Sequence, residues 1–297
     1  MKILLTGANG FLGQHLIALL LQKTAHHITA TGKGINRLAF LTDERLQYHS
    51  LDITDAVAVN SFFKQEEPDI IIHAAAITQV DYCEKNKTIC WNTNVTATRF
   101  LIDAAKNCNA RFIYVSTDFV FDGEKGNYAE TDNTGTVNYY GSSKLTAEHA
   151  VLESGLDNTI VRTCLVYGNL LNGNRSNIIS WVKKSLEEQQ KIKVVNDQYR
   201  TPTYINDLAM GIMLVLEKEA TGIFHISGKE ILTPFDMATA TADFLSLDKS
   251  LIEKTDASSF IEPAKRPAKT GFVITKAEKE LGFGPVSFAE GLTRMFA

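Results

Sequence analysis

KILLTGANGFLG, residues 2–13, decides how the rest of the chain is read. A short apolar run, KILLT, leads into Gly7, Gly10 and Gly13, and FLGQHLIALLLQK follows with helical patterning over residues 11–23. A G-x-x-G-x-x-G spacing carries meaning when it follows a strand and opens a helix. Gly7 permits the tight turn, Gly10 lets backbone approach a pyrophosphate, and Gly13 allows the helix to pack closely on the strand. The helix N-terminus then offers N–H groups and the positive end of its dipole to an anion. Asn9, Phe11 and Leu12 share this loop and are expected beside the same dinucleotide.

The rest of the chain repeats the alternation. Strand candidates are HITAT (27–31), LQYHS (46–50), DIIIHA (69–74), RFIYVS (111–116) and TIVRT (159–163), with an amphipathic stretch, AVAVNSFFKQ (56–65), among them. DIIIHA and RFIYVS are apolar enough for strands buried on both faces. This order predicts an α/β, Rossmann-type, doubly wound parallel sheet with right-handed crossovers. Beyond residue 168 come a polar loop, a helix over 176–189, the strand IKVVN, a helix over 206–218 and the strand GIFHISG (222–228). The expected division is a dinucleotide domain over 1–168 that also receives about 204–227, with 169–203 and 228–297 forming a small, discontinuous C-terminal substrate lobe.

The 297 residues are 44% hydrophobic and 22% charged, with a formal net charge of −4 and no basic block, which argues against a nucleic-acid partner. The start MKILLTGANG lacks the pattern of a signal peptide, and no apolar run approaches the roughly 18 residues of a membrane span. Cys83, Cys90, Cys108 and Cys164 form no C-x-x-C pair, and the seven histidines, including adjacent His26 and His27, have no zinc spacing. No metal site is expected. Reduced thiols in a cytoplasmic protein are the reading.

The second strand and its continuation, HITATGKGINR, carry no acid to bond a ribose 2′-OH. Lys33 and Arg37 lie just beyond the strand and suit a 2′-phosphate, so NADP(H) is favoured over NAD(H); both are otherwise loop charges. Asp52 and Ile53, in LDITD, are expected near the adenine, although Asp55 can cap the next helix and Asp52 can close a turn. Ala74, Ala75 and Ala76 follow His73 at a strand's carboxyl end and leave room for the ribose and nicotinamide.

YGSSKLTAE, residues 140–148, places Tyr140 and Lys144 at i and i+4, about 5–6 Å apart at Cβ on one helix face. A cation there favours the phenolate and lowers a tyrosine pKa from about 10 toward neutrality. Such a tyrosine can pass a proton to a carbonyl oxygen as hydride reaches the carbon, and the lysine can also bond ribose hydroxyls. Thr117 ends RFIYVS and is expected to give a hydroxyl to the same oxygen. The pair alone occurs by chance; after a phosphate loop and a strand ending in Ser116-Thr117 it reads as catalytic. Ser142 and Ser143 read as small helix residues, Glu148 as a surface or packing charge.

TGANGFLG, LDITD, HAAA, NTNVTATRFLIDAA, VSTDFVFDG, YGSSKLTAE and RTCLVYG, in that order, resemble the extended short-chain dehydrogenase/reductase family over nearly the whole chain. The resemblance implies catalytic roles for Thr117, Tyr140 and Lys144, and a structural-catalytic one for Asn94. STDFVFDG, NDQYRTPT and KRPAKTGF resemble segments of the family's reductases of nucleotide-linked 4-keto-deoxysugars. That implies an NAD(P)H-dependent reductase acting on a nucleotide sugar, with Asp118, Val120, Leu165, Arg200 and Arg266 on the substrate side. Arg200 and Arg266 either hold a diphosphate with forked donors or are solvated at the surface or paired internally. Leu165 stands where those reductases commonly have tryptophan, Arg200 where a small residue is frequent and Thr270 where serine is. Phe119 follows Asp118 where a dehydratase carries its acid–base glutamate. An epimerase or another carbonyl reductase is the alternative, then a non-catalytic regulatory subunit. Family members often dimerise, so a homodimer is compatible with the resemblance.

Overall fold

The computed structural model describes residues 1–38, 42–173 and 176–296. Strand β1 (Lys2–Thr6) turns at Gly7 into helix α1 (Phe11–Lys23), and β2 (His27–Gly32) and β3 (Leu46–Ser50) follow. Then come α2 (Ala56–Glu66), β4 (Ile70–His73), the short helices α3 (Val80–Lys85) and α4 (Lys87–Trp91), and α5 (Ala97–Cys108). The second part of the sheet brings β5 (Arg111–Thr117), α6 (Tyr139–Leu152), β6 (Asn158–Thr163) and β7 (Val166–Tyr167). The remainder holds α7 (Ile178–Glu187), β8 (Ile192–Val195), β9 (Thr203–Tyr204), α8 (Ile205–Glu217), β10 (Gly222–His225), α9 (Pro234–Phe244), β11 (Ile252–Thr255) and α10 (Phe288–Phe296).

Seven strands form one parallel sheet in the order β10-β6-β5-β4-β1-β2-β3. The two-residue period of a strand divides its side chains between two cores. Ile3 and Leu5 face α1 and α8, among Leu16, Ile17, Leu208 and Ile212. Leu4 and Ile71 face the other way, among Val59, Phe63, Leu101 and Val151 of α2, α5 and α6. Every one of these side chains is buried, and each contributes roughly 1.5–3 kcal/mol of hydrophobic stabilisation. The Rossmann-type sheet expected from the alternation is therefore present, and α8 and β10 return to it from late in the chain.

The remaining elements pack at one end. β8 pairs with β11 in parallel, and α7 and α9 cover them through Val182, Leu186, Ala238 and Ala242. Tyr167, Tyr204, Phe288 and Leu292 join this part to the sheet, beside the short β7–β9 pair. The helix expected from residue 176 starts at Ile178, because Asn177 caps it: its side chain accepts from the Ile179 and Ser180 N–H groups, and Ser180 returns a bond to the Asn177 N–H. Thr233 and Asp236 form the corresponding box at α9, with Pro234 in the first turn.

The loop after β1 admits no extra atoms. Gly7 has φ +75°, and a Cβ on Gly13 would lie 2.3 Å from the Gly7 carbonyl oxygen and 2.8 Å from Ala8 Cα. Backbone cannot yield as a flexible side chain does. Gly13→Ala should lower the unfolding free energy by about 1–3 kcal/mol. Gly284→Ala, where a Cβ meets nothing within 4 Å, should stay within about 0.5 kcal/mol of the parent. Urea unfolding of both variants is the measurement; equal midpoints would contradict the steric account.

Candidate active site

The carboxyl ends of β1, β2, β4, β5 and β6 open onto a cavity of about 750 Å³, where open parallel sheets bind ligands. Gly7, Asn9, Gly10, Phe11, Leu12 and Gly13 line one end. Gly10 N–H closes the loop on the Gly7 carbonyl at 2.9 Å. A Cβ on Gly7 would lie 2.8 Å from Ala75 N, so the loop after β1 and the Ala74–Ala75–Ala76 segment share one floor. The N-cap of α1 is Gly10, with no side-chain cap, which leaves N–H groups to meet an anion. This cradle fits a dinucleotide pyrophosphate.

At the far end of β2, Lys33 and Asp52 line the cavity and pair at 2.7 Å, and buried Ile53 sits beside them. The Lys33 ammonium, then the Thr54 hydroxyl, hold the Asp52 carboxyl down at about 2. Asp55 caps α2 by accepting from Val57 and Ala58. Asn9 fastens this region: its Nδ2 donates to the Ile35 carbonyl and Tyr48 Oη, both at 2.9 Å, and its Oδ1 accepts from Arg37 N–H at 2.9 Å. The Arg37 side chain is exposed and does not line the cavity.

Tyr140 and Lys144 lie in the opposite wall, 7% and 3% exposed. Lys144 Nζ donates to the Val115 carbonyl at 2.8 Å and lies 4.0 Å from the centre of the Tyr114 ring. Burial pushes the Lys144 ammonium down to about 7, against the opposing pull of Glu148 and Cys90. Gly141 is what lets α6 approach: a Cβ there would lie 2.2 Å from the Phe119 carbonyl oxygen. That glycine inside a helical run was the available signal in the sequence.

Asn94 lies behind the wall, within a π-helical turn at Asn92–Thr96. Its Oδ1 accepts from Ile77 N–H at 2.8 Å, and its Nδ2 donates to the Ile77 carbonyl and to Ser143 Oγ, both at 3.0 Å. Ser143 in turn donates to the Tyr140 carbonyl at 2.7 Å, so it is a buried link and not simply a small residue. A second chain crosses below. Thr98 Oγ1 donates to the Asn94 carbonyl, so it accepts from His73 Nε2 at 3.0 Å, which leaves His73 Nδ1 to accept from Thr6 Oγ1 at 2.7 Å. Burial, then Lys144, lowers His73 to about 3, consistent with this neutral tautomer.

Thr117 lines the cavity; its hydroxyl donates to Asp118 Oδ1 at 3.1 Å and accepts from Phe119 N–H at 3.3 Å. Asp118 is buried and gathers the substrate side. Thr270 donates to it, Cys164 approaches at 3.3 Å, and Arg200 Nε lies 3.8 Å away. Arg200 is buried, with its fork on the carbonyls of Tyr199, Ala268 and Pro267 and on Gln198 Oε1. Arg266 makes two 2.7 Å bonds to Asp81, and nothing in the sequence marked Asp81 as its partner. Both arginines line the cavity as internal clamps, so their donors are engaged where a diphosphate contact was one expectation. Leu165 lines it too, at φ +33°. Val120, expected on the substrate side, does not line the cavity: the short turn after Thr117 carries it into the buried core that also holds Phe121 and Phe272. Glu148, expected as a surface or packing charge, is fully buried against Arg162. Among the described residues no group of three or more His, Cys, Asp or Glu can hold a metal ion, and no helix is long and apolar enough to cross a membrane.

Comparison with known proteins adds to this geometry. Residues 1–297 match the family described as RmlD substrate binding domain. The chain is 30% identical to a probable low-salt glycan biosynthesis reductase, Agl14, of Haloferax volcanii, over 100% of this chain and 98% of that one. It is 30% identical to dTDP-4-dehydrorhamnose reductase of Aggregatibacter actinomycetemcomitans, with the same coverage. A dTDP-4-dehydrorhamnose reductase structure from Bacillus anthracis, in complex with NADP, superposes with a TM-score of 0.86 at 28% identity, covering 99% of this chain and 98% of that one. A dTDP-glucose 4,6-dehydratase structure from Streptomyces venezuelae, with NAD bound, gives 0.87 at 28%, covering 99% and 95%.

Arg200→Met would leave the Asp118 carboxylate buried without its cation. Unfolding free energy should fall by about 3 kcal/mol. Asp118→Asn in that background should recover part of the loss. Chemical denaturation of the single and double variants measures both, and a neutral single substitution would refute the clamp.

Proposed function

Since the chain belongs to the family described as RmlD substrate binding domain, among the extended short-chain dehydrogenase/reductases, we propose that it reduces the 4-keto group of a nucleotide-linked deoxysugar with NAD(P)H. It is an NAD(P)-dependent oxidoreductase of this scaffold; the substrate and the residue roles are the proposed part. The observation that carries the reading is one cavity with an uncapped, glycine-lined helix N-terminus at one end and Thr117, buried Tyr140 and buried Lys144 further along it.

A reduced nicotinamide, when bound, supplies hydride to the ketone carbon. Tyr140 gives its hydroxyl proton to the ketone oxygen, so carbonyl becomes alcohol with both hydrogens accounted for. Cationic Lys144 favours the phenolate left behind and donates to ribose hydroxyls. Thr117 flanks the same oxygen. Asn94 and Ser143 hold the Ile77 segment and α6 at fixed separation. Phe119 stands where a dehydratase needs an acid–base glutamate, which favours simple reduction.

NADPH is the favoured donor. No acid ends β2, and Lys33 and Arg37 are both exposed beside it. On this reading Lys33 exchanges Asp52 for the 2′-phosphate. The four cysteines are free, which suits the reducing cytoplasm.

Loss of reduced-nicotinamide absorbance with dTDP-4-dehydrorhamnose tests the substrate. Tyr140→Phe should lower kcat by about 10²–10⁴-fold with cofactor affinity retained. No turnover of that sugar by the parent enzyme would remove the named substrate, and failure across a panel of keto sugars would remove the reductase reading. NAD that co-purifies tightly would point to an epimerase instead. Separately, Lys33→Ala and Arg37→Ala should each weaken NADPH binding about tenfold and leave NADH binding unchanged; unaltered NADPH titrations would refute the 2′-phosphate assignment.

A further inference from the structure

We propose that Glu148 is a positioning residue that keeps Lys144 charged, with Arg162 locking its carboxylate in place. The inference rests on the reductase reading for its consequence, but its geometry is independent of the sugar. Tyr140, Lys144 and Glu148 occupy i, i+4 and i+8 of α6, so they follow one another along one face, about 5–6 Å apart at Cβ from each to the next. All three are buried, and Glu148 is 0% exposed. Arg162 reaches it from β6 with Nε 3.0 and 3.2 Å from the two carboxylate oxygens and Nη2 2.7 Å from Oε2. The guanidinium also lies 5.1 Å from the Phe121 ring centre, next to the turn that carries Thr117 and Asp118.

A buried ion pair is a poor way to gain stability, since apolar residues of similar volume often do as well or better. Its position supplies another role. The two partners that touch the Lys144 ammonium, a carbonyl and an aromatic ring, favour its charge but carry none of their own. Tyr114 and the Val115 carbonyl of β5 face it, neutral His73 lies on β4, Cys90 on α4 and Tyr140 on α6 itself. Burial lowers the ammonium to about 7, and Glu148 leads the opposing influences, ahead of Cys90. Charged Lys144 is what the proposed proton transfer and ribose contact require.

The test follows two alkaline limbs, that of NADPH binding measured by cofactor fluorescence without substrate and that of kcat/KM on the keto sugar. Glu148→Gln should move both to lower pH by about one unit or more. Because this leaves Arg162 unpaired and threatens folding, the Glu148→Gln/Arg162→Met variant, with both charges gone, is the second arm and should move them the same way. Glu148→Asp should restore much of the parent position. A folded double variant with the parent's limbs overturns the proposal and leaves the pair a structural one. A parent enzyme that binds NADPH but reduces no keto sugar removes the reductase reading, while the binding limb still decides the role of Glu148.

Discussion

The backbone of Gly7 lies against the backbone of Ala74 and Ala75, with no room for a Cβ between them. This contact sets how the loop after β1 meets the end of β4, and the two together make the cavity floor. Gly13 adds the second constraint by pressing α1 onto Gly7 and Ala8. With α1 held so, its uncapped N-terminus faces the cavity. The opposite wall is fixed in the same manner, by Gly141 of α6 against the Phe119 carbonyl. Three glycines, at positions where only hydrogen fits, thus set the spacing between the anion cradle and the tyrosine–lysine helix.

Side-chain hydrogen bonds then stiffen what the glycines bring close. Asn94 reads both the Ile77 backbone and Ser143, and the Thr6–His73–Thr98 chain ends on the Asn94 carbonyl. Each of these groups is satisfied by a partner from another element, which is how buried polar groups avoid their desolvation cost. The π-helical turn at Asn92–Thr96 belongs to this arrangement, as such turns often accompany functional sites.

The sheet and the cofactor end were legible in the sequence because they follow local periodicities. KILLT, DIIIHA and RFIYVS are short apolar runs, and the glycine spacing sits between a strand and a helix. The structure keeps the ends of KILLT, moves those of the other two by one residue at most, and keeps their order. The pairings of charged residues were not legible. Arg200 meets the carbonyls of Pro267 and Ala268, Arg266 meets Asp81, and Arg162 meets Glu148. The first two join residues 67 or more positions apart, where no period or motif connects the partners. Glu148 and Arg162 are close in sequence, but which face of α6 is buried cannot be read from a helix whose two sides differ so little in polarity. Val120 shows the same limit at short range: one turn after Thr117 decides whether a side chain enters the cavity or the core.

The substrate side therefore differs in kind from the cofactor side. At the glycine-loop end, backbone and glycine form the wall, and the sequence displays them directly. At the other end, Arg200 and Arg266 tie the segment from Ala264 to Thr270 to the turn after β5 and to α3, through Asp118 and Asp81, and Asn138 holds the Lys265 carbonyl. A forked guanidinium already bonded to several carbonyls cannot also recognise a diphosphate without releasing them. These arginines shape the cavity wall through the segments they brace. Leu165, held at a positive φ, lines the same cavity with a constrained backbone. The form of this end of the cavity therefore resides in pairings that a list of cavity residues does not reveal.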